Sequence, residues 1–215
     1  MELFTYFRSS AAYRVRIALN LKGIKAEPHC VHLVKDGGQQ HKPEYLKVNP
    51  QGFVPALVDQ GHVITQSIAI IAYLDETHPN PPLLPKDALG RARVRAMSLI
   101  IACDIHPLQN QRITKYLEKE FHADEVTRKR WIAQWISEGF TALEQMVSGD
   151  AATGKFCHGD TPTMADVLLV PQMFSARRFG VDVTPFKTLV RIDAHCQTIK
   201  AFQDAAPGKQ PDFEA

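Results

Sequence analysis

Val54-Pro55-Ala56-Leu57-Val58-Asp59-Gln60-Gly61-His62-Val63-Ile64-Thr65-Gln66-Ser67-Ile68-Ala69-Ile70-Ile71 is the stretch on which the fold turns. Two short β-prone runs, Val54–Val58 and His62–Thr65, flank the turn-type tripeptide Asp59-Gln60-Gly61, which predicts a hairpin. Ser67 then precedes Ile68–Glu76, where Ile70, Ile71 and Leu74 share one helical face, so Ser67 is the expected N-cap. A hairpin that runs directly into an amphipathic helix is half of a small α/β unit.

The other half lies upstream. Leu3–Phe7 is a β-prone run, and Ala11–Leu21 follows with Ala11, Val15, Ala18 and Leu19 at helical spacing and Gly23 as the stop. Glu27–Val34 is a second strand candidate, and Asp36-Gly37-Gly38 opens a polar loop. The order is β-α-β, a loop or short helix, then β-β-α. Downstream, Pro79-Asn80-Pro81-Pro82-Leu83-Leu84-Pro85 cannot continue a helix and reads as a linker. Beyond it the strand signal disappears. Ala88–Glu120 reads as one long helix with a kink at Pro107. Glu125–Val147 carries Ile132, Ile136, Phe140, Leu143 and Val147 on one side. Thr163–Phe179 is apolar nearly all round and therefore central, Pro185–Ala205 is a further helix, and the tail from Pro207 reads as a surface strap. The expectation is an α/β domain over residues 1–80, a linker over 81–87 and an all-helical domain over 88–215.

Composition narrows the function. Apolar residues make up 45% and charged residues 22%, which is ordinary for a soluble globular protein. A net charge of +2 is too small to argue for nucleic acid or membrane, and Arg91-Arg93-Arg95 reads as a solvated helix face. No apolar run approaches membrane-spanning length, and the N-terminus lacks the pattern of a signal peptide. Four scattered cysteines without a Cys-x-x-Cys pair fit a reducing cytoplasm and argue against a dithiol motif. His29 and His32 are the nearest histidine pair, but in a strand an offset of three places them on opposite faces, so no metal is expected.

Three segments carry polar groups where a ligand can use them. Arg8-Ser9-Ser10 leaves a strand and enters a helix, so unpaired N–H groups and the positive dipole end face whatever binds there. Ser is also a preferred cap, and on this motif alone capping by Ser9 or Ser10 is the better account. Val54-Pro55 sits at the start of a strand, where proline marks a special bond, with cis among the options; a bend there frees the Val54 main chain to pair with a peptide-like ligand. Gln66-Ser67 opens a helix whose N–H groups suit a carboxylate, and plain capping explains it equally well.

Taken together, these segments resemble the zeta class of glutathione transferases. Ser9-Ser10-Ala11-Ala12-Tyr13-Arg14-Val15-Arg16-Ile17-Ala18-Leu19 is similar to that class's signature, and so are Asp36-Gly37-Gly38-Gln39-Gln40, Asn49-Pro50, Val54-Pro55, Gln66-Ser67, Gly159-Asp160, Thr163-Met164-Ala165-Asp166 and Val181-Asp182-Val183-Thr184-Pro185. The resemblance covers essentially the whole chain. It implies a thioredoxin-like N-terminal domain, an all-α C-terminal domain, a homodimer, and glutathione as cofactor. The implied activity is cis–trans isomerisation of maleylacetoacetate in aromatic amino-acid breakdown. The alternatives are the same chemistry on maleylpyruvate, a transferase for small α-haloacids, or a non-catalytic binding module.

The resemblance assigns the thiol-bonding hydroxyl to Ser9, with Ser10 beside it. It gives the middle of the tripeptide to Gln40 and the Val54 main chain, and the γ-glutamyl end to Gln66 and Ser67. His106, Asn110 and Arg112 fall in the class's ligand-contacting segment, and Arg178 is favoured over a solvated Arg177 for the carboxylate of a small anionic diacid. Arg8 and Arg14 are further cations near the thiol. Thr163–Asp166 fits the family's structural capping box. The Trp131/Trp135 pair at i, i+4 is expected to pack, not to bind a ligand. Where the class signature has cysteine this chain has Ala11, so the reactive sulfur is the one glutathione brings and disulfide exchange is not expected.

Overall fold

The structure is a computed structural model and describes residues 1–214. It divides into two compact units, Met1–Pro82 with the segment from Thr198 onward, and Leu83–Gln197. The tail that the sequence pattern assigned to the helical domain thus packs with the α/β unit.

The first unit is a four-stranded sheet in the order β2-β1-β3-β4, with β1 Glu2–Thr5, β2 Glu27–Cys30, β3 Ala56–Asp59 and β4 His62–Thr65. β1 and β2 are parallel, joined by helix α1 (Ser10–Leu21), while β1–β3 and β3–β4 are antiparallel. Side chains alternate across the sheet. Leu3 is buried on one side, while Phe4 faces the other and packs 5.7 Å from Tyr45, which lies on the short helix α2 (Pro43–Leu46). Helix α3 (Ser67–Thr77) contributes Ile70, Ile71 and Leu74 to the core beside α1, and α10 (Lys200–Ala205) packs on α1.

The strands are shorter than their β-prone runs. β2 stops at Cys30, and the expected extension to Val34 is irregular because Val34 and Lys35 donate their N–H groups to the His32 ring (3.2 and 2.8 Å) instead of to a ladder. The expected N-cap of α3 is also displaced by one residue. Gln66 is the cap, and Ser67 is the first helical residue.

The second unit is helical, with α4 Ala88–Leu99, α5 His106–Gln109, α6 Gln111–Phe121, α7 Glu125–Val147, α8 Met164–Arg178 and α9 Lys187–Cys196. α7 coincides with its sequence reading. α8 is the central helix, with Val167, Leu168, Val170 and Met173 wholly inaccessible. Its first turn is fixed by Asp166. One carboxylate oxygen accepts from the Thr163 N–H and hydroxyl (2.8 Å each), and the other accepts from the Cys157 N–H (2.8 Å).

The expected single helix over 88–120 is instead broken into parts. Pro107 has no N–H to give, and the turn before it widens to a π-helical stretch, Ile100–Ile105, with the His106 N–H bonded to Ile101 O. The break itself falls at Asn110, whose ψ of 145° is extended and whose side chain caps α6 through the Arg112 N–H (3.0 Å). Likewise 185–205 is two helices, because Ile199 is extended before α10. Trp131 and Trp135 pack edge to face at 5.6 Å, as expected of a structural pair. Among the described residues, no helix is long and apolar enough to cross a membrane.

Candidate functional site

The strand register places four loops at one end of the sheet. Thr5 pairs with Cys30 and Phe4 with Ala56, while Ala56 pairs with Thr65. The chain therefore leaves β1, leaves β2, enters β3 and leaves β4 at the same edge. The segments emerging there are Tyr6–Ser9, Val31–Gln40, Phe53–Pro55 and Gln66–Ser67, which contain all the candidate glutathione residues of this unit. This is the end where α/β sheets receive ligands.

Tyr6–Ser9 is a turn closed by the Ser9 N–H on Tyr6 O (3.0 Å). Ser9 is the N-cap of α1, with extended backbone, and its Oγ accepts from the Ala12 N–H (3.2 Å). The capping account of Ser9 is therefore correct, and it is compatible with a binding role. A hydroxyl that accepts one N–H still has its own hydrogen to donate. Ser10 is buried at the first helical position, and the Ala11 N–H lies in the first turn, where a helix has no internal acceptor. Arg8 is exposed, with its guanidinium carbon 4.9 Å from the centre of the Phe7 ring.

Arg14, expected as a cation near the thiol, is only 2% exposed, and its Nη1 donates to Ser67 Oγ at 3.2 Å. It ties the first helix to the start of α3 and sets the Ser67 hydroxyl.

Phe53 is pinned by two donors on its carbonyl, Tyr45 OH (2.6 Å) and Asn49 Nδ2 (2.7 Å). Burial pushes the Tyr45 phenol up, so it stays a donor. Next to this anchor the Val54–Pro55 bond is cis, and the Val54 N–H and C=O have no hydrogen-bond partner among the described residues. Gln40 is buried. Its amide nitrogen donates to Leu33 O (3.3 Å) and lies 3.1 Å from the His41 ring, while its Oε1 has no partner among the described residues. Gln66 adopts φ 69°, ψ 119°, which costs a residue with a Cβ about 1–3 kcal/mol, and its amide donates to Gln51 Oε1 at 2.7 Å. The first N–H groups of the helix that follows have no intrahelical acceptor and suit an anion. Gln51, Asn49 and Tyr45 were missed in the sequence; only the Asn49-Pro50 dipeptide pointed near them.

The remaining candidates lie in the helical unit. His106 starts α5, and Asn110 caps α6, with Arg112 in the first turn of that helix. Gln109, between them, exchanges two amide hydrogen bonds with Gln172 of α8 (3.1 and 3.0 Å) and anchors that segment. Arg178 is exposed, its guanidinium 4.5 Å from the Phe179 ring centre. Arg177 is not simply solvated, as the sequence suggested, because it bonds the buried Asp193 carboxylate at 2.6 Å. Among the described residues no cluster of His, Cys, Asp and Glu could hold a metal.

A thioredoxin-like sheet whose ligand end carries a capped serine, a Val-cis-Pro segment and a strained residue before the next helix defines a glutathione transferase. Residues 3–82 match the glutathione S-transferase N-terminal domain family. A maleylacetoacetate isomerase from Pseudomonas aeruginosa is 45% identical over 216 residues, spanning 100% of both chains. A solved holo structure of maleyl pyruvate isomerase, a bacterial zeta-class glutathione S-transferase, has a TM-score of 0.97 at 48% identity over 100% of both chains. A maleylacetoacetate isomerase from Methylobacterium extorquens, solved with bound malonate and glutathione, has a TM-score of 0.96 at 39% identity, again over 100% of both chains. The chain belongs to the zeta class of glutathione transferases.

Proposed function

We propose that this chain uses glutathione as a thiol catalyst to isomerise a cis-enedicarbonyl diacid, with maleylacetoacetate as the substrate and fumarylacetoacetate as the product. The observation that carries the reading is the Ser9 hydroxyl, which accepts the Ala12 N–H and so has its hydrogen to aim at a sulfur beyond the helix.

A conjugated cis double bond does not rotate. A thiolate that adds to one alkene carbon forms a C–S bond and sends the π electrons to the carbonyl oxygen as an enolate. The carbon–carbon bond is then single and rotates. Collapse of the enolate restores the alkene as trans and expels the thiolate, so the cofactor is regenerated. A free thiol titrates near about 8.5, and lowering it by two units takes about 2.7 kcal/mol. One charge-assisted hydrogen bond from Ser9 and the dipole of α1 are of that combined size. In this reading Ser10 and the Ala11 N–H share the sulfur's surroundings, Gln40 and the Val54 main chain hold the middle of glutathione, and Gln66 and Ser67 hold its γ-glutamyl carboxylate. His106, Asn110, Arg112, Arg178 and Arg8 serve the glutathione or the diacid. The protein acts as a homodimer in the cytoplasm, which suits its four free cysteines.

A second reading, maleylpyruvate as substrate, is favoured by the 48% identity to a maleyl pyruvate isomerase. Both substrates offer the same cis-enedicarbonyl and carboxylates. Steady-state rates on each, with and without glutathione, decide between them: the higher kcat/KM names the substrate, and turnover that is equal without glutathione contradicts the mechanism.

A further inference from the structure

We infer that the C-terminal strap, Pro207–Glu214, positions the glutathione site, with Asp212 and Arg16 as positioning residues for the Ser9 turn. The inference rests on the proposed thiolate role of that turn.

Phe7, two residues before Ser9, is held by its main chain at both ends. Its N–H donates to Asp212 Oδ2 (3.0 Å), and its carbonyl accepts from Arg16 Nη2 (3.2 Å). Its ring meets the Phe213 ring edge to face at 5.6 Å. Arg16 is buried and spends every donor group on this region. Nη1 bonds Thr5 Oγ1 (3.0 Å) and Tyr6 O (3.3 Å), and Nε bonds Ala205 O (3.0 Å) at the end of α10. Burial pushes its guanidinium down to about 10, so it is charged at neutral pH. Tyr6 O also accepts the Ser9 N–H, so Arg16 and Ser9 share one carbonyl.

The strap reaches a second loop at the same sheet end. Glu214 pairs with Lys35 and stands 3.7 Å from His32 Nε2. His32 donates its N–H to the Gln39 side chain (2.8 Å), immediately before Gln40. A few terminal residues thus stitch the turn that carries Ser9 to the loop that carries Gln40. Hydrogen-bond strength falls steeply with misplacement, so a donor aimed at a thiolate depends on what holds its turn.

The test uses the full chain and glutathione, and follows thiolate absorbance in the ultraviolet against pH together with KM and kcat. Asp212→Ala should raise the pH midpoint of thiolate formation by about half a unit to one unit and raise the glutathione KM about threefold to tenfold. Asp212→Asn keeps an oxygen for the Phe7 N–H and should recover most of both. Phe213→Ala, at a half-exposed position that tolerates truncation, should shift both in the same direction and by less. Unchanged midpoint and KM in Asp212→Ala and Phe213→Ala, with only a lower Tm, overturn the inference. So does an Asp212→Asn as defective as Asp212→Ala. Ser9→Ala, measured alongside, separates the two ideas: an intact thiolate in Ser9→Ala contradicts the Ser9 reading, whereas a lost thiolate in Ser9→Ala with no shift in Asp212→Ala contradicts the strap alone.

Discussion

Gln66 is where stability and function are expected to part. At φ 69° and ψ 119° it sits where a Cβ costs about 1–3 kcal/mol. Gln66→Gly removes that cost, but it adds about 0.5–1 kcal/mol of unfolded-chain entropy and loses the exposed 2.7 Å bond to Gln51, worth about 0.5–1 kcal/mol. The net runs from about −1 to +2 kcal/mol, centred near about +0.5 in favour of the folded state. Gln66→Ala loses the same amide yet keeps the strain, and so is destabilised by about 0.5–1 kcal/mol. The amide loss is common to both, so the glycine variant should exceed the alanine variant by the strain less the entropy, about 1 kcal/mol, which is about 2–4 °C in Tm for a chain of this size. Both variants lose the same side chain toward the γ-glutamyl end and should bind glutathione about tenfold more weakly. Thermal and urea unfolding report the first difference, and titration calorimetry with glutathione reports the second. An alanine variant as stable as the glycine variant would refute the strain argument, and wild-type affinity in either variant would refute the binding role.

Three further outcomes follow from other parts of the chain. Asp166→Ala strips three hydrogen bonds from a wholly buried carboxylate and strands the Cys157 and Thr163 N–H groups; removal of a desolvated charge offsets part of this, and a loss of about 3–4 kcal/mol is expected in urea unfolding. Asp87 is held below the usual carboxylate range by the Gly90 N–H, so its cap on α4 contributes fully above that ordinary range and is lost as pH falls through the depressed folded value. Asp87→Asn, which keeps the cap without the titration, should flatten that part of the acid-unfolding curve. Burial, and then the Asp212 carboxylate, push the Cys30 thiol up, so alkylation of this exposed cysteine followed by peptide mass mapping should be slow at neutral pH and faster in Asp212→Asn.

The parts of the fold legible in the sequence are those set by local periodicity. α7 carries an apolar stripe from Ile132 to Val147 that repeats for about four turns, and β4 ends where Gln66-Ser67 begins a helix. The cis bond at Val54–Pro55 was among the options because proline at the start of a strand has few alternatives. What escaped depends on partners distant in sequence. The bond from Arg14 to the Ser67 hydroxyl, which α3 delivers across an interval of 53 residues, had no local signal. Arg177 read as solvated because its partner Asp193 stands on another helix. The kink at Pro107 was legible, but nothing local announced that the preceding turn would widen and that Asn110 would start a new helix. The role of Asp212, 205 residues from Phe7, had no local signal at all.

The central claim is that Ser9 donates its hydroxyl hydrogen to the glutathione sulfur. Thiolate absorbance of glutathione bound to the full chain, measured across pH in wild type and in Ser9→Ala, tests it most directly. The account predicts a midpoint well below that of free glutathione in the wild type. In Ser9→Ala it predicts a rise of about one to two units, with a matching fall in kcat. A Ser9→Ala protein that still binds glutathione as thiolate and still turns over at the wild-type rate would contradict it, and would move the sulfur to Ser10 or to the main chain of the first turn.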